Sequence, residues 1–403
     1  MLRDRPDEIA AGSSTQIRRT ILRLGRKAGW DAAIVIPAKD EEERLPACLD
    51  AAGAAIRAAV HAIGDMRVGI VLVVNNSTDA TARRASDWAA AHRSVPFVLI
   101  DCDFPAWRAG VGAARRLGLD TACARLAPNG ALLTTDADTL VRQDWVIRNL
   151  AELQGADLIC GTVLGQPDEA RALPAEIAGH GSAEWDYLNA SIRLVARLDP
   201  QPHDPTPAHH NPAGASMAVS RAVYEAVGGL PVQPMGEDRA FAELIEAHDF
   251  RIRFSAAPVV ETSCRMIGRT EGGMAGALRS RAFEHDPFAD EWMEAADTLA
   301  LRHGLRGRLR AVWPDEPALH RVLSASLGQL PADRIMSRPT GPHFGAFFAG
   351  VERSVPQLAR HRLQLSDCRR ELPRLRELLA SVDPGQTPGP ARSGRARQIH
   401  AEV

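Results

Sequence analysis

The chain has 403 residues, of which 45% are hydrophobic and 24% are charged, a composition typical of a globular protein with a sizeable buried core. Its formal net charge of -2 argues against a nucleic-acid-binding protein, because such proteins normally carry a basic surplus on one face. The length exceeds that of one ordinary domain and predicts one large domain with an appendage.

Cysteine usage and hydropathy bear on the compartment. The 6 cysteines are scattered without a CxxC pair or a Cys/His ligand spacing, which predicts reduced, buried thiols in a cytoplasmic protein. The opening residues carry acids where a secretion signal needs an apolar run. No stretch reaches the roughly 18 apolar residues that a membrane span needs. We therefore expect a soluble protein without a membrane span.

Residues 1–29 are polar and arginine-rich, and they predict a frayed arm or a short helix. Strands and helices then alternate along the chain. Apolar runs predict strands at residues 32–36, 68–74, 95–100 and 131–135. Helical patterns lie between them, at residues 46–63, 80–92 and 108–126. This alternation predicts an α/β fold with a mostly parallel, doubly wound sheet.

The alternation loosens after about residue 155. The patterns there predict a strand at 157–163, a helix at 175–198, a Pro/His-rich loop at 199–212, a short strand at 214–219, a helix at 221–227 and another helix after residue 238. Trp185 and Tyr187, on the second of these elements, are expected in the core. We divide the chain into an arm (1–29), a main domain (30–275), a helical C-terminal segment (276–382) and a disordered tail (383–403).

Three polar clusters each follow the carboxyl end of a predicted strand, at residues 38–44, 75–79 and 136–138. Ligands of doubly wound sheets bind beyond those carboxyl ends, near a switch in strand order. The coincidence of the clusters with the strand ends predicts a nucleotide site.

Asp136 and Asp138 are the first candidates for chemistry. Two carboxylates, two residues apart on a turn after a buried strand, can face one hard cation such as Mg²⁺ or Mn²⁺. A cation held by few protein ligands leaves room for diphosphate oxygens and can neutralise a departing nucleotide diphosphate. The alternative interpretation is an ordinary acidic turn.

Four further segments, in order along the chain, carry a family resemblance. Residues 35–45 (VIPAKDEEERL) and 71–81 (VLVVNNSTDAT) resemble the two opening signatures of family 2 glycosyltransferases. Residues 214–221 (GASMAVSR), followed by VGGLP at 227–231, resemble their acceptor-side segment, and Gly236-Glu237-Asp238 resembles their ED motif. With the DxD pair, the resemblance spans residues 31 to about 275 and implies a GT-A fold.

The resemblance also implies a nucleotide diphosphate sugar as donor. Asn75 or Asn76 stands in place of the acid that usually holds the base, which leaves the base open because an amide both donates and accepts. Arg108 stands near the expected diphosphate, although a surface arginine fits equally well. The other residues that the resemblance assigns to the nucleotide sugar, besides Asp136, are Pro37, Ala38, Glu41, Asp79, Arg265 and Arg269.

On the acceptor side, the resemblance makes Asp238 the general base and Glu237 a group that orients the acceptor. Acids at a helix N-terminus, favoured by the helix dipole, are the alternative. His210, in the loop before the acceptor-side segment, could complete the metal shell, although a loop histidine is more often solvated. Arg265 and Arg269 suit phosphate geometry, with surface salt bridges as the alternative.

Several functional alternatives stay open. Inverting sugar transfer is the leading hypothesis; a retaining transferase shares the DxD motif, and a non-catalytic sugar-nucleotide-binding protein would need neither acid pair. A nucleotidyltransferase is disfavoured because residues 37–44 contain no glycine. The acceptor is not identified by the sequence. The C-terminal segment is expected to shape the acceptor side, with a homodimerisation arm as the alternative.

Overall fold

A computed structural model of the chain describes residues 15–23, 29–233, 235–268 and 273–382. In this part of the chain one mixed sheet has nine strands in the order β1-β4-β3-β2-β5-β8-β7-β9-β6. The strands are β1 Gln16–Arg23, β2 Trp30–Ala38, β3 Val68–Asn75, β4 Phe97–Asp103, β5 Leu126–Thr134, β6 Thr139–Val141, β7 Leu158–Gly165, β8 Met217–Ser220 and β9 Ile252–Thr262.

Helices cover both faces of the sheet and continue into the C-terminal segment. Those before β9 are α1 Leu45–Ile63, α2 Thr81–Ala91, α3 Val111–Cys123, α4 Trp145–Glu152, α5 Pro167–Arg171, α6 Ala175–Leu198, α7 Arg221–Ala226 and α8 Glu237–Ala247. Those after it are α9 Gly273–Phe283, α10 Ala296–Val312, α11 Glu316–Leu327, α12 Gln329–Met336, α13 Phe344–Ser354 and α14 Leu365–Val382.

The central strands are buried on both faces, as the continuous apolar runs predict. In β2, Ile34 and Ile36 belong to one core cluster, whereas Ala33 and Val35 belong to the cluster on the opposite face. Alternate residues of a strand point to opposite faces, so an apolar run without alternation fits a doubly covered strand. The predicted α/β class with a C-terminal helical extension is confirmed.

The direction of the strands changes across the sheet. The pairings β4-β3, β3-β2 and β2-β5 are parallel, whereas β8 runs antiparallel to both β5 and β7. The carboxyl ends of β2, β3, β4 and β5 therefore lie at one edge of the sheet. The three polar clusters follow β2, β3 and β5 at this edge.

The N-terminal arm was predicted wrongly where the structure describes it. Instead of a frayed arm or a short helix, Gln16–Arg23 forms β1, an edge strand antiparallel to β4. Arg18 contacts Asp101 at 2.7 Å and Asp103 at 3.4 Å. Ile17 and Ile21 of β1 pack against the core, but the arginines between and beside them obscure the apolar alternation on which strand prediction depends. Residues 1–14, 24–28 and 383–403, with the predicted disordered tail, lie outside the described residues.

The C-terminal helices pack against the sheet-bearing part of the chain. One core cluster contains Tyr187 and Leu188 of α6 together with Leu299 of α10 and Leu375 of α14, so it spans both sides of the predicted boundary at residues 275–276. The backbone N–H groups at the start of α13 donate to Asp249, which follows α8. Tyr187 is fully buried, as expected for a core residue.

All 6 cysteines are buried and free, which confirms the prediction of buried thiols. Burial raises the pKa of Cys48, whose Sγ donates to the backbone carbonyl of Asp136 (3.3 Å). Within the described ranges, no helix has the length and apolar character needed to cross a membrane.

Candidate active site

The loops that follow β2 and β3 are joined by reciprocal hydrogen bonds. The backbone N–H of Asp40 donates to Ser77 Oγ (3.0 Å), and that of Glu42 donates to Asp79 Oδ2 (3.0 Å). In return, the N–H of Ala80 donates to Glu42 Oε2 (2.9 Å). Asp79 therefore fixes the two loops relative to each other, which the sequence did not reveal.

These loops line an open pocket of about 360 Å³. Its lining is polar and mostly acidic, and it includes three predicted donor residues, Glu41, Asp79 and Arg265. The complete lining consists of Asp40, Glu41, Glu42, Glu43, Arg44, Thr78, Asp79 and Arg265.

Arg265 connects this pocket to the DxD turn. Its guanidinium binds both carboxylate oxygens of Glu41, one of them at 2.8 Å, and also contacts Asp138 Oδ2 at 2.9 Å. Burial, and then the charge of Asp136, raise the pKa of Asp138 to about 6, against the opposing effect of Arg265. Glu41, Asp138 and Arg265 were predicted from separate motifs, and Glu41 and Arg265 are 224 residues apart in the sequence. Their side chains form one charged group.

The two asparagines after β3 have different surroundings. Asn76 has a positive φ of 48°, and its amide makes two hydrogen bonds with the backbone of Phe104, at 2.8 and 3.1 Å. This amide therefore holds the loop that follows β4. Asn75 is 3% exposed at the end of β3 and directs its Nδ2 towards Asn76 Oδ1 at 3.5 Å. The side-chain amide of Asn76 is thus held by the backbone, whereas that of Asn75 contacts a neighbouring side chain.

Arg115, a residue that the sequence analysis missed, joins the DxD motif to the ED motif. It lies on α3 and is 2% exposed. Its Nη2 donates to Asp136 Oδ1 (2.8 Å), and its Nε donates to Glu237 Oε1 (3.1 Å). Its Nη1 donates to the carbonyl of Gly214 and to Thr134 Oγ1, both at 2.9 Å. The sequence pattern predicts that Arg115 lies on a helix, but it does not indicate which distant residues the side chain contacts.

The ED pair lies at the start of α8, directly after Gly236, whose positive φ of 71° turns the chain into the helix. Burial raises the pKa of Glu237, against the lowering effect of Arg115. Asp238 is half-buried, and its Oδ2 accepts the backbone N–H of Gly214 (2.9 Å). The carboxylate thereby faces the segment that the resemblance assigns to the acceptor.

Asp136 and Asp138 carry the oxygen ligands that a hard divalent cation prefers. Each presents one oxygen to an arginine, Asp136 to Arg115 and Asp138 to Arg265. Burial, and secondly the charge of Asp136, raises the pKa of Asp138. A cation would relieve that mutual repulsion, and two carboxylates would leave coordination positions for diphosphate oxygens and water. Within the described ranges, no group of three or more His, Cys, Asp or Glu side chains suits a metal ion.

The remaining predicted residues are dispersed. His210 lies beside Asp290, with Nε2 at 3.7 Å from Oδ1, and against Trp292, so its neighbours come from the C-terminal segment. Pro37 and Ala38 are buried at the end of β2, and Arg108 lies in the turn between β4 and α3. Arg269 falls outside the described residues.

Residues 33–209 match the sequence model of a family described as "Glycosyl transferase family 2". The matched range includes both opening signatures and the DxD pair, and it ends before the acceptor-side segment and the ED motif. The match supports the family resemblance and a glycosyltransferase activity. No curated protein matched the chain.

Several solved structures are distantly similar. A mannosyltransferase from Pyrobaculum calidifontis, in complex with GDP-Man and Mn²⁺, is 14% identical, with 91% of each chain covered and a TM-score of 0.41. S. aureus TarS 1-349, in complex with UDP-GlcNAc, is 13% identical, with 88% of this chain and 92% of that chain covered and a TM-score of 0.41. Glucosyl-3-phosphoglycerate synthase from Mycobacterium tuberculosis, with Mn²⁺ and UDP, is 16% identical, with 70% and 81% covered and a TM-score of 0.36.

Proposed function

We propose that this protein is a family 2 glycosyltransferase that moves a sugar from a nucleotide diphosphate donor to an acceptor hydroxyl, with inversion and with a divalent cation. The observation that carries the proposal is the Arg115 bridge. A carboxylate of the donor-side pair, Asp136, and an acid of the acceptor-side pair, Glu237, bind the same guanidinium. Asp136 and Glu237 are 101 residues apart in the sequence, so their shared partner supports a single site that faces both substrates, as group transfer requires.

On the donor side, the nucleotide is proposed to occupy the pocket beside Glu41 and Asp79, with Asn75 at the base. Arg265 is the mobile partner in this scheme. It contacts the carboxylates of Glu41 and Asp138 in the free protein, and it is proposed to turn to the diphosphate oxygens when the donor binds, because guanidinium forks match phosphate. Arg108 and Arg269 are further candidates for the diphosphate.

Asp136 and Asp138 would hold Mg²⁺ or Mn²⁺, which supplies positive charge next to the departing diphosphate when it is bound. His210 is not included in this set, because its neighbours are Asp290 and Trp292.

On the acceptor side, Asp238 is proposed to remove the proton from the acceptor hydroxyl. The acceptor oxygen then forms a bond to the anomeric carbon, the bond from that carbon to the diphosphate oxygen breaks, and its electron pair leaves with the diphosphate. The N–H of Gly214 donates to Asp238 Oδ2, so this carboxylate is oriented before an acceptor binds. Attack from the face opposite the leaving group gives inversion, which distinguishes the proposal from a retaining transferase.

The first experiment identifies the donor. Thermal unfolding is measured with a panel of nucleotide diphosphates and sugar nucleotides, each with and without Mn²⁺. A ligand present at 100 times its dissociation constant stabilises the folded state by about 2.7 kcal/mol. A shift that requires both one class of nucleotide and Mn²⁺ is expected, and its absence across the panel would contradict a sugar-nucleotide donor.

The second experiment separates the two acid pairs. Asp138→Ala is expected to abolish the Mn²⁺-dependent shift and lower turnover by orders of magnitude. Asp238→Asn is expected to keep the shift and lose turnover, because its contact matters in the transition state. Asp168→Asn, whose side chain is 92% exposed, is the control. Turnover in Asp238→Asn with a retained anomeric configuration would point to a retaining mechanism instead.

A further inference from the structure

Arg115 is a buried cation shared by two buried or half-buried carboxylates. Its side chain is 3% exposed, that of Glu237 is 4% exposed and that of Asp136 is 34% exposed. Burial alone would lower the pKa of Arg115, but Asp136 and Glu237 raise it above its ordinary value, so the guanidinium stays charged. One positive charge is therefore divided between two negative charges.

The fork of the guanidinium makes this division possible. Nε reaches Glu237, Nη2 reaches Asp136, and Nη1 reaches the carbonyl of Gly214. A lysine ammonium is a compact point charge on a single stem and does not reproduce three contacts in different directions. Gly214 in turn donates its N–H to Asp238. The contacts of Arg115 thus extend from Asp136, one of the proposed metal-binding carboxylates, to Gly214, which orients the proposed base Asp238.

We propose that Arg115 is a positioning residue. It couples the proposed metal-binding carboxylates, Asp136 and Asp138, to the acceptor-side acids, Glu237 and Asp238. This inference rests on the proposed function. A cation that binds Asp136 competes with Arg115 for that carboxylate, so the guanidinium is attracted more strongly to Glu237 and to the carbonyl of Gly214. Donor loading thereby tightens the segment that holds Asp238. Coupling between two sites is reciprocal, so a change at Glu237 must alter metal affinity at Asp136.

A purely structural role for Arg115 predicts something different. In that case Arg115 keeps α3, β5 and α8 together, and its loss lowers stability without linking Glu237 to metal binding. The two roles are separated by measuring Mn²⁺ affinity without any nucleotide, by isothermal titration or by the electron paramagnetic resonance signal of free Mn²⁺.

The decisive variant is Glu237→Gln, which removes the charge and keeps the shape. In the wild-type background it releases Arg115 towards Asp136, and we expect the Mn²⁺ dissociation constant to rise about threefold or more, within the range of couplings between residues in contact. In an Arg115→Met or Arg115→Lys background, Glu237→Gln is expected to change the Mn²⁺ dissociation constant by less than about 1.5-fold. That small change is the direct effect of the lost charge alone.

Arg116 provides the matched control. It is the next residue on α3, and it binds Asp120 (2.7 Å) and the carbonyl of Leu230 (2.8 Å) rather than either acid pair. In an Arg116→Met background, Glu237→Gln should keep its full effect on Mn²⁺ affinity. Circular dichroism and thermal unfolding verify that each variant is folded.

Each outcome decides the proposal. An equal effect of Glu237→Gln with and without Arg115, or no effect in the wild type, overturns the coupling and leaves the proposed glycosyl transfer intact. Absence of Mn²⁺ binding by the wild-type protein overturns the coupling and also removes the metal from the proposed function. If every Arg115 variant fails to fold, the wild-type titration decides: an unchanged Mn²⁺ affinity in Glu237→Gln overturns the inference.

Discussion

At the scale of single residues, the charge of Asp138 depends strongly on its surroundings. Its pKa is about 6 in the folded protein, because burial and Asp136 raise it from an ordinary value of 3.8. Between pH 4 and 6 the folded state therefore binds more protons than the unfolded chain. The free energy of unfolding must fall as pH rises through that window, and the loss is complete above pH 6.

Asp138→Asn should remove this loss. We expect the variant to be more stable than the wild type at pH 7.5, by up to about 3 kcal/mol from a shift of roughly two pKa units, and nearly equal in stability at pH 4. Urea unfolding at both pH values measures the difference. Equal stability of the two proteins at pH 7.5 would show that the ionised Asp138 is fully compensated by Arg265. Asp168→Asn is the exposed control.

Gly214 allows a second residue-scale prediction. A Cβ at this position would lie 2.5 Å from Cζ of Arg115, so alanine forces the buried guanidinium away from its partners. We expect Gly214→Ala to destabilise the protein by about 1–3 kcal/mol and to lower turnover. Gly276→Ala, in the helix α9 with open space around the glycine, is the control and should be neutral or slightly stabilising. Equal urea midpoints for the two variants would contradict the close contact with Arg115.

At this scale the candidate residues could be predicted from the sequence, but the contacts between them could not. Asp136, Asp138, Glu237 and Asp238 follow strands or begin a helix, which are local signals. Arg115 has no local signal, because its partners are 21 and 122 residues away in the chain. Such a contact depends on the tertiary fold and becomes visible only when distant motifs share one side chain.

At the scale of elements, the turn after β3 begins α2 and also supports the turn after β2. Asp79 accepts the N–H of Thr81 (2.9 Å) at the start of α2 and the N–H of Glu42 (3.0 Å) across the site. We expect Asp79→Ala to lower stability by about 1–2 kcal/mol through the two unpaired donors, and to weaken donor binding because the pocket wall loosens.

Ser86→Ala is the control for that prediction. Ser86 lies on the same helix, and its hydroxyl donates to the carbonyl of Ala82, one turn earlier. Thermal unfolding with and without the identified donor measures both effects. A donor affinity unchanged in Asp79→Ala, together with the expected loss of stability, would restrict Asp79 to a structural role and remove it from the proposed donor site.

Elements with a strong pattern were predicted within a few residues of their observed bounds. The helix predicted at 175–198 is Ala175–Leu198, and the strand predicted at 68–74 is Val68–Asn75. Both have an apolar face or run that packing requires. The strand β1 was not predicted, because it lies at an edge of the sheet and its arginines interrupt the apolar pattern. Strand direction was equally hidden, since it depends on which strands become neighbours.

At the scale of the whole molecule, the C-terminal segment completes a core that the main domain leaves open. Tyr187 and Leu194 of α6 are fully buried, and their cluster is closed by Leu299, Leu365 and Leu375. Leu375→Ala should therefore destabilise the whole protein by about 2–5 kcal/mol. Arg374→Ala, at the neighbouring exposed position, is the control and should leave stability nearly unchanged. Equal effects would mean that α14 is not packed as described.

Truncation after residue 276 tests the segment as a unit. It would expose α6 and would also remove the hydrogen-bond partners of Asp249, which follows α8. The carboxylate of Asp249 accepts the N–H groups of Phe344 (2.7 Å) and Gly345 (2.7 Å) at the start of α13. Because the proposed base, Asp238, lies in the first turn of α8, we expect the truncated chain to lose transfer to the acceptor and to aggregate or unfold at a lower temperature.

Size-exclusion chromatography, thermal unfolding and the nucleotide-induced shift distinguish the outcomes. A truncated protein that binds nucleotide but does not transfer would assign the segment to the acceptor side, where Trp292 lies against His210 and Arg239. A dimeric full chain that becomes a folded, active monomer would make the segment a dimerisation arm. The shared core argues against that result, because an arm that only joins two copies need not bury Tyr187 within its own chain.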